Sequence, residues 1–521
     1  MRSLITKVLC GTLCCTATAT SVLAQNEPDT AVFNRIKAAE LNSSQIPQIA
    51  HYLTDVSGPR LANSQGYKRA ANWAVSTMKK WGLVNAGLEE WGEFGKQWDI
   101  DDFSITMRVP YAAPLRAYPN PWSANTKGVQ QGQVIILSPQ QYMDTNYVAK
   151  HATEFKGKWV LIAGNPPKND GKFKPAAARL ADTALANMKD TYMVKREEIE
   201  SFSKYISIYK KLDKLIEDGG GLGLITAGRA NADGAVFVQA FSGNRVTDPE
   251  GIPQLTMAVE DGQRIKRLIA SGHPVEIAVN IKTITSTADT RGYNVIAEIP
   301  GTDPKLKSEV VMLGGHLDSW QAATGATDNA AGCIVMMEAV RLLDSLGLKP
   351  KRTIRIALWD GEEEGLYGSY NYVQKHFMDA AKFKAKPEQS KISAYFNLDN
   401  GTGKIRGIFA QSNKEVAPIF AQWFKPFNSL GASTVTLSNA GSTDHLSFDW
   451  AGIPAFQFIQ DEIDYETRTH HSNLDDYDHL QIDDLKQAAI IVASFVYQTS
   501  VRTQMLPRKP LKKEIFVFDG L

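Results

Sequence analysis

Apolar residues recur every three or four positions through IPQIAHYLTDV and GYKRAANWAVSTMKKWGL, the spacing of one face of an α-helix. The polar turn SGPRLANS separates these two predicted helices. LEEWGEFGKQW and FSITMRV then predict strands. From about residue 119 to 286 the pattern changes. The short apolar runs GQVIILS, KGKWVLIAG, GGGLGLITAG and AVFVQAF predict strands divided by glycine-rich turns, around a long charged helical stretch from about residue 183 to 218. This block closes on IPQLTMAVEDGQRIKRLIASG and the strand VEIAVNIKT. From residue 291 onward NVIAEIPG, EVVMLGGH, TIRIALWD, KISAYFNLD and IPAFQFIQ alternate with helical segments. Strands apolar on both faces, alternating with helices, predict an α/β fold: a mixed, largely parallel sheet flanked by helices.

The expected organisation has five parts: a leader at 1–24, the N-terminal part of the main domain at 25–118, an inserted β-rich accessory domain at 119–286, the body of the main domain at 287–505, and a tail at 506–521 to which the sequence assigns no role. The leader carries Arg2 and Lys7, an apolar or small run at 8–22, and the small-residue site Val22-Leu23-Ala24. It reads as a secretory signal peptide cleaved after Ala24. The run is too short and too rich in Thr and Cys to anchor the chain in a bilayer, so the expected location is secreted or periplasmic. Three of the 4 cysteines lie in the leader. The mature chain then keeps only Cys333 and forms no intrachain disulfide. Its setting, NAAGCIVMMEAV, is that of a small core residue rather than a nucleophile. Lys and Arg number 57 against 56 Asp and Glu. Loss of Arg2 and Lys7 leaves the mature chain close to neutral, with nothing to attract nucleic acid or an anionic membrane.

Candidate chemistry gathers in five segments: GGHLDSW (His316, Asp318), GATDNAAG (Asp328), LWDGEEEGLYGS (Glu362, Glu363), FNLDN (Asp399) and THHSNLDD (His471). Imidazoles and carboxylates in this number suit two borderline-hard divalent ions, with one carboxylate left over as a base. His316, Glu362, Glu363 and Asp399 directly follow predicted strands, and in open α/β sheets that edge is where ligands bind. Asp318, two residues beyond His316, is expected to accept the other ring N–H and fix the tautomer. Asp328 has two oxygens and is the natural bridge between two cations, although its place at a helix start also suits an N-cap. The sequence contains no HExxH helix and no Gly-x-Ser-x-Gly elbow, which removes other zinc-protease classes and the serine hydrolases.

These motifs together resemble the M28 peptidases, zinc-dependent exopeptidases with a co-catalytic metal pair. SGPRLANSQGYKRAANWAVSTMKKWGL is similar to that family's N-terminal segment, and the middle block is similar to the protease-associated domain inserted in many members. The secreted layout most resembles the carboxypeptidase Q-like branch. The resemblance implies the zinc exopeptidase fold, two Zn2+ per chain and a short peptide as substrate, and it leaves a homodimer open. It also implies roles. Glu362 is the general base and Glu363 the metal ligand, counting back from Gly365-Leu366. Asp399 completes the site of His316. His471, in His-Ser-x-x-Asp register, completes that of Glu363, with His470 beside it as a neighbour or substrate contact. Asp444 and His445 take supporting places, and Tyr465 is a candidate donor to a tetrahedral oxyanion. Aminopeptidase, carboxypeptidase and dipeptidase activities share these motifs, and the choice among them stays open. A glutaminyl cyclase-like enzyme and a non-catalytic binding module are the rival readings.

Overall fold

The computed structural model of the protein describes residues 27–164, 175–227, 233–240, 242–513 and 515–518. The predicted signal peptide lies outside the described residues. The main helices are α1 (Thr30–Ser43), α2 (Gln65–Trp81), α3 (Arg196–Asp218), α4 (Ala331–Ser345) and α5 (Ile482–Val501). Local signals set the ends of α2. The Ser64 side chain accepts from the Tyr67 amide at 3.1 Å, and Gly82 closes the helix at φ 99°.

Two eight-stranded mixed sheets carry the fold. In chain order their strands are β1 (Val84–Glu93), β2 (Gln97–Val109), β3 (Ala113–Pro114), β4 (Ala117–Pro119), β5 (Gln130–Leu137), β6 (Lys158–Ile162), β7 (Gly223–Ala227), β8 (Gln254–Met257), β9 (Glu276–Ser286), β10 (Arg291–Ile299), β11 (Val310–His316), β12 (Thr353–Trp359), β13 (Ile392–Asn397), β14 (Ile405–Phe409), β15 (Thr434–Thr436) and β16 (Ala455–Gln460). The first sheet runs β1-β10-β12-β11-β13-β16-β14-β15. Its central strands β12, β11, β13 and β16 are mutually parallel, and antiparallel pairs flank them. Alternate residues feed two cores. Val311 and Leu313 of β11 pack on one side with α2, α4 and α5, while Val310 and Met312 pack on the other with Tyr372 and Phe448. Because both faces are covered, these strands read as continuous apolar runs.

Helix α4 is buried nearly end to end, Cys333 included. A Cβ at Gly332 would stand 2.1 Å from the Leu398 carbonyl oxygen, so only glycine lets α4 approach the end of β13 this closely.

The second sheet runs β3-β2-β9-β5-β6-β7-β8-β4. It begins earlier than expected. Strand β2 pairs with β9 from Gln97↔Ser286 to Val109↔Glu276, so the boundary expected at 119 falls near residue 97 in the strand pairing. The alternating FSITMRV pattern announces a strand without naming the sheet it joins. Two further expectations change. Among its described residues, 235–240, AVFVQAF forms no ladder; Phe237 makes a single antiparallel bridge to Ser472. The long helix starts at Arg196, preceded by a short helix at Asp182–Ala186 and by a non-helical stretch whose Asn187, Asp190 and Thr191 are weak helix formers. The tail is packed against the body: Phe516 stacks on Tyr370 at 4.3 Å, and Lys509 pairs with Asp449 at 2.6 Å. Among the described residues no helix is long and apolar enough to cross a membrane.

Candidate metal centre

The C-terminal ends of the parallel strands β11, β12, β13 and β16 lie side by side, and the predicted residues meet there. His316 ends β11, Glu362 and Glu363 follow β12, Asp399 follows β13, and the loop after β16 brings His470 and His471. Asp328 joins them from the segment that enters α4. Its Oδ1 stands 3.3 Å from Nε2 of His316, and its Oδ2 3.3 Å from Nε2 of His471. Around this one carboxylate are two groups. Asp399 Oδ1 lies 3.3 Å from Nε2 of His316, and Glu363 Oε2 lies 2.8 Å from Nε2 of His471.

The tautomers follow from the opposite ring nitrogens. Nδ1 of His316 donates to the Asp318 carbonyl at 3.1 Å, and Nδ1 of His471 donates to Oε1 of Gln239 at 3.1 Å. Each ring therefore turns its Nε2 toward the carboxylates, the nitrogen that a metal would take in place of a proton. Here the expectation for Asp318 is corrected. Its carboxylate is 3.7 Å from His316 Nδ1, and it is the main-chain carbonyl that holds the ring. The side chain instead accepts from the Glu363 amide at 3.2 Å, bracing the other half of the site.

Asp328 is not a helix cap. Helix α4 starts at Ala331, and Asn329 Oδ1 accepts from the Gly332 amide at 3.0 Å. With capping done by its neighbour, both Asp328 oxygens face the histidines. Its backbone is held by Asp475, whose oxygens accept from the amides of Thr327 at 2.7 Å and Asp328 at 3.0 Å. Of the two adjacent histidines, His471 is nearer Asp328. His470 stands 3.9 Å from Asp328 Oδ2, its ring against Tyr465 at 4.8 Å.

The electrostatics describe a site short of positive charge. Burial, then Asp399, Asp444 and Glu363, raise the Glu362 carboxyl well above its usual range. Burial and Asp328 do the same to Glu363. Burial opposes charge on His316, yet Asp399 and Glu362 raise its pKa well above the imidazole norm. Burial likewise opposes ionisation of Asp328, but the bond from His316 and the nearby His471 hold it below the carboxylate range. Asp328 Oδ2 and Glu363 Oε1 are buried without a hydrogen-bond partner. Clustered carboxylates, oriented imidazoles and orphaned oxygens are a donor set that fits divalent cations. Two groups can each hold an ion, His316 with Asp328 and Asp399, and Asp328 with His470 and His471.

The supporting residues are placed as follows. Asp444 is fully buried, its carboxyl pushed up to about 8 by burial and by Asp318 and Asp399. His445 is bonded to Gln411 at 2.9 Å and pushed down to about 4 by burial. Tyr465 is kept protonated by burial and by Asp328 and Asp399. The Cys333 thiol donates to the His316 carbonyl at 3.0 Å and is pushed up to about 12 by burial, an inert core group. Two contributors escape sequence reasoning. Gln239 comes from the inserted block. Arg60, fully buried, donates to the carbonyls of Leu53, Leu317, Thr324 and Gly325 and so fixes the loop between His316 and Asp328. Arginine inside SGPRLANS, between Gly-Pro and Leu-Ala, was the available signal.

Residues 294–496 match the sequence pattern of peptidase family M28. The carboxypeptidase Q of Rattus norvegicus is 26% identical over 459 residues, covering 88% of this chain and 85% of that protein. The carboxypeptidase Q of Homo sapiens is 31% identical over 263 residues, covering 50% of this chain and 52% of that protein. In structure, the peptidase M28 precursor of Shewanella amazonensis SB2B superposes with a TM-score of 0.66 at 22% identity, over 94% of this chain and 100% of that one. A zinc aminopeptidase of Bacillus subtilis gives 0.54 at 19% identity, over 89% and 96%. The sequence matches and the mixed α/β fold define a hydrolase of the exopeptidase class. Through residues 294–496 and these relatives the chain is similar to peptidase family M28.

Proposed function

We propose that the protein is a secreted di-zinc exopeptidase that cleaves short peptides or dipeptides in the manner of a carboxypeptidase Q-like enzyme. The observation that carries this reading is the division of Asp328 between two histidine–carboxylate groups, one oxygen toward His316 and the other toward His471. A cyclase-like centre with a single ion has no need of a shared carboxylate, and a binding module has no need of Glu362.

His316 and Asp399 would hold one zinc, Glu363 and His471 the other, and Asp328 would span both. A zinc pair bound there supplies Lewis acidity toward the scissile carbonyl and lowers the pKa of a water. Glu362 takes a proton from the attacking water and delivers it to the amine nitrogen as the C–N bond breaks. Its raised proton affinity, caused by burial and neighbouring acids, suits a group that must hold a proton between those events. Tyr465, protonated and beside His470, is in position to donate to a developing oxyanion. The inserted block takes part as well: Gln239 orients His471, and the block walls a cavity that opens on Glu363. The apolar leader supports export, and a homodimer is the assembly proposed for this branch.

The test offers one short peptide free, N-acetylated and C-amidated, with and without a zinc chelator. Chelator-sensitive cleavage blocked by both modifications supports the dipeptidase reading. Cleavage blocked by acetylation alone indicates an aminopeptidase, and by amidation alone a carboxypeptidase. Zinc-loaded protein that cleaves none of them would sink the proposal.

A further inference from the structure

Between β6 and α3 the chain leaves the second sheet and crosses the main domain as a strap, residues 176–192. Its apolar residues Leu180, Leu185 and Met188 pack on Phe409, Ala440 and Ile459. The far end is fixed by Thr191, whose amide donates to the Asn439 carbonyl at 3.0 Å and whose hydroxyl accepts from the Gly441 amide at 2.8 Å. The near end is fixed by charge. Arg179 meets Asp461, just beyond β16, at 2.9 Å, and Asp484, in the first turn of α5, at 2.6 Å. Asp461 is fully buried and the Asp484 side chain is 5% exposed, so both acids need a cation. Arg406 also serves Asp461, at 2.8 Å; among the described residues Asp484 pairs with Arg179 alone.

The near end touches the loop that carries Tyr465. The Ala178 amide donates to the Ile463 carbonyl at 2.8 Å in an antiparallel bridge, and the Thr467 hydroxyl donates to the Ala176 carbonyl. The strap therefore grips the loop on both sides of Tyr465. Ile463 stands at φ 52°, in the left-handed region. A β-branched residue holds that conformation only where its surroundings impose it. Here the bridge from Ala178 imposes it. Tyr465 follows two residues later, its amide donating to the Glu462 carbonyl at 2.9 Å, so the direction of its side chain is set by this bend.

We propose that Arg179 is a positioning residue: by locking the strap to Asp461 and Asp484 it holds the bend at Ile463, and through it the Tyr465 hydroxyl, in place beside the metal centre. The inference rests on the exopeptidase reading for its effect on rate, since the oxyanion role of Tyr465 belongs to that reading.

The experiment uses the full, metal-loaded mature protein. It compares Arg179→Met, Arg179→Lys, Tyr465→Phe and the double variant of Arg179→Met with Tyr465→Phe, with metal content and melting temperature measured for each. Hydrolysis of a short peptide gives kcat and KM, and hydrogen exchange of the amides at 462–469 follows the loop directly. Tyr465→Phe is expected to lower kcat by about 10²-fold, the scale for an oxyanion donor. Arg179→Met is expected to lower kcat by about tenfold with KM within about twofold, because a displaced donor fails in the transition state. In the Tyr465→Phe background the same change should cost less than about twofold more, since the group it positions is gone. Arg179→Lys offers one charge to two acids without the planar fork, and should show the same kcat-only loss at about threefold. It carries the comparison if Arg179→Met does not fold. A lower melting temperature with kcat per bound metal unchanged, or an equal loss of kcat in both backgrounds, overturns the proposal. Exchange separates the two readings. If no peptide is cleaved, or Tyr465→Phe keeps full turnover, the assigned reaction role fails. Faster exchange at 462–469 in the Arg179 variants then still supports the positioning, and unchanged exchange there overturns it.

Discussion

The two halves of the metal centre share Asp328 but are built in different ways. His316 is the last residue of a central strand, its side chain 1% exposed, and its ring is held by a main-chain carbonyl two residues away. His471 sits on a loop with its side chain 17% exposed and its backbone in the left-handed region at φ 55°. A non-glycine residue holds that conformation only where its surroundings fix it. Here the fixing comes from the inserted block, through the Val238 amide donating to the His471 carbonyl at 2.8 Å and through Gln239 on the ring. One half is therefore private to the parallel sheet. The other depends on a segment whose Gln239 lies 232 residues upstream of His471. The lesson is that the inserted block is a structural part of the site as well as a wall beside it.

The largest effect should come from what the halves share. Asp328→Asn removes the charge that both histidines face, and metal analysis after dialysis should find both ions lost. Retention of one full equivalent would mean that the halves are independent. Glu362→Gln should keep metal and fold while turnover falls by about 10²- to 10⁴-fold, the range for loss of a general base. Turnover near the wild-type rate would remove Glu362 from that role. The difference between the halves is next. Gln239→Leu should weaken the His471 side by about 10- to 100-fold in metal affinity, the usual consequence of losing the partner of a ligating histidine. The His316 side should be untouched, so metal content should drop toward half. Equal loss from both halves would contradict the asymmetry.

That same asymmetry marks what was legible in the sequence. His316, Glu362, Glu363 and Asp399 could be placed because their strands are apolar on both faces, which announces a buried parallel sheet and its ligand-binding edge. Asp328 was expected as a bridge from its residue type alone, and its two oxygens face two different histidines. Gln239 could not, because a neutral amide in AVFVQAF carries no chemical signal and the run imitates a strand. The role of Asp318 was half legible: the right residue supports His316, but through its carbonyl, which any residue possesses. Arg60 was hidden because it acts on carbonyls that are remote in sequence. Alternation in FSITMRV gave a strand correctly but could not say which sheet it joins.

Arg60 allows the private half to be tested from behind. Its guanidinium gathers the carbonyls of Leu317, Thr324 and Gly325, so Arg60→Met would leave several buried acceptors without donors. Thermal unfolding should show a loss of about 3 kcal/mol, and the loop from His316 to Asp328 should become protease-sensitive before the rest. A stability loss below about 0.5 kcal/mol would mean that the strand alone positions His316.

The smallest effect lies farthest from either half, where α1 docks on α4, the helix that follows Asp328. Glu40 is fully buried there beside Glu338 and Ser44, with Arg341 4.0 Å away. Burial and then Glu338 raise its carboxyl from 4.5 to about 8. The folded chain thus retains a proton that the unfolded chain releases above pH 4.5. This contribution to stability is full below pH 4.5 and is lost as pH rises through about 8, with a slope no steeper than about 1.4 kcal/mol per pH unit. Glu40→Gln keeps a neutral side chain at every pH and should remove this part of the slope. The gap in melting temperature between variant and wild type should therefore widen in the variant's favour from pH 5 to pH 8.5. Metal content and turnover should not move, because the pair reaches neither histidine. A gap that stays constant with pH would show that Glu40 is ionised in the fold, with Arg341 rather than a proton balancing it.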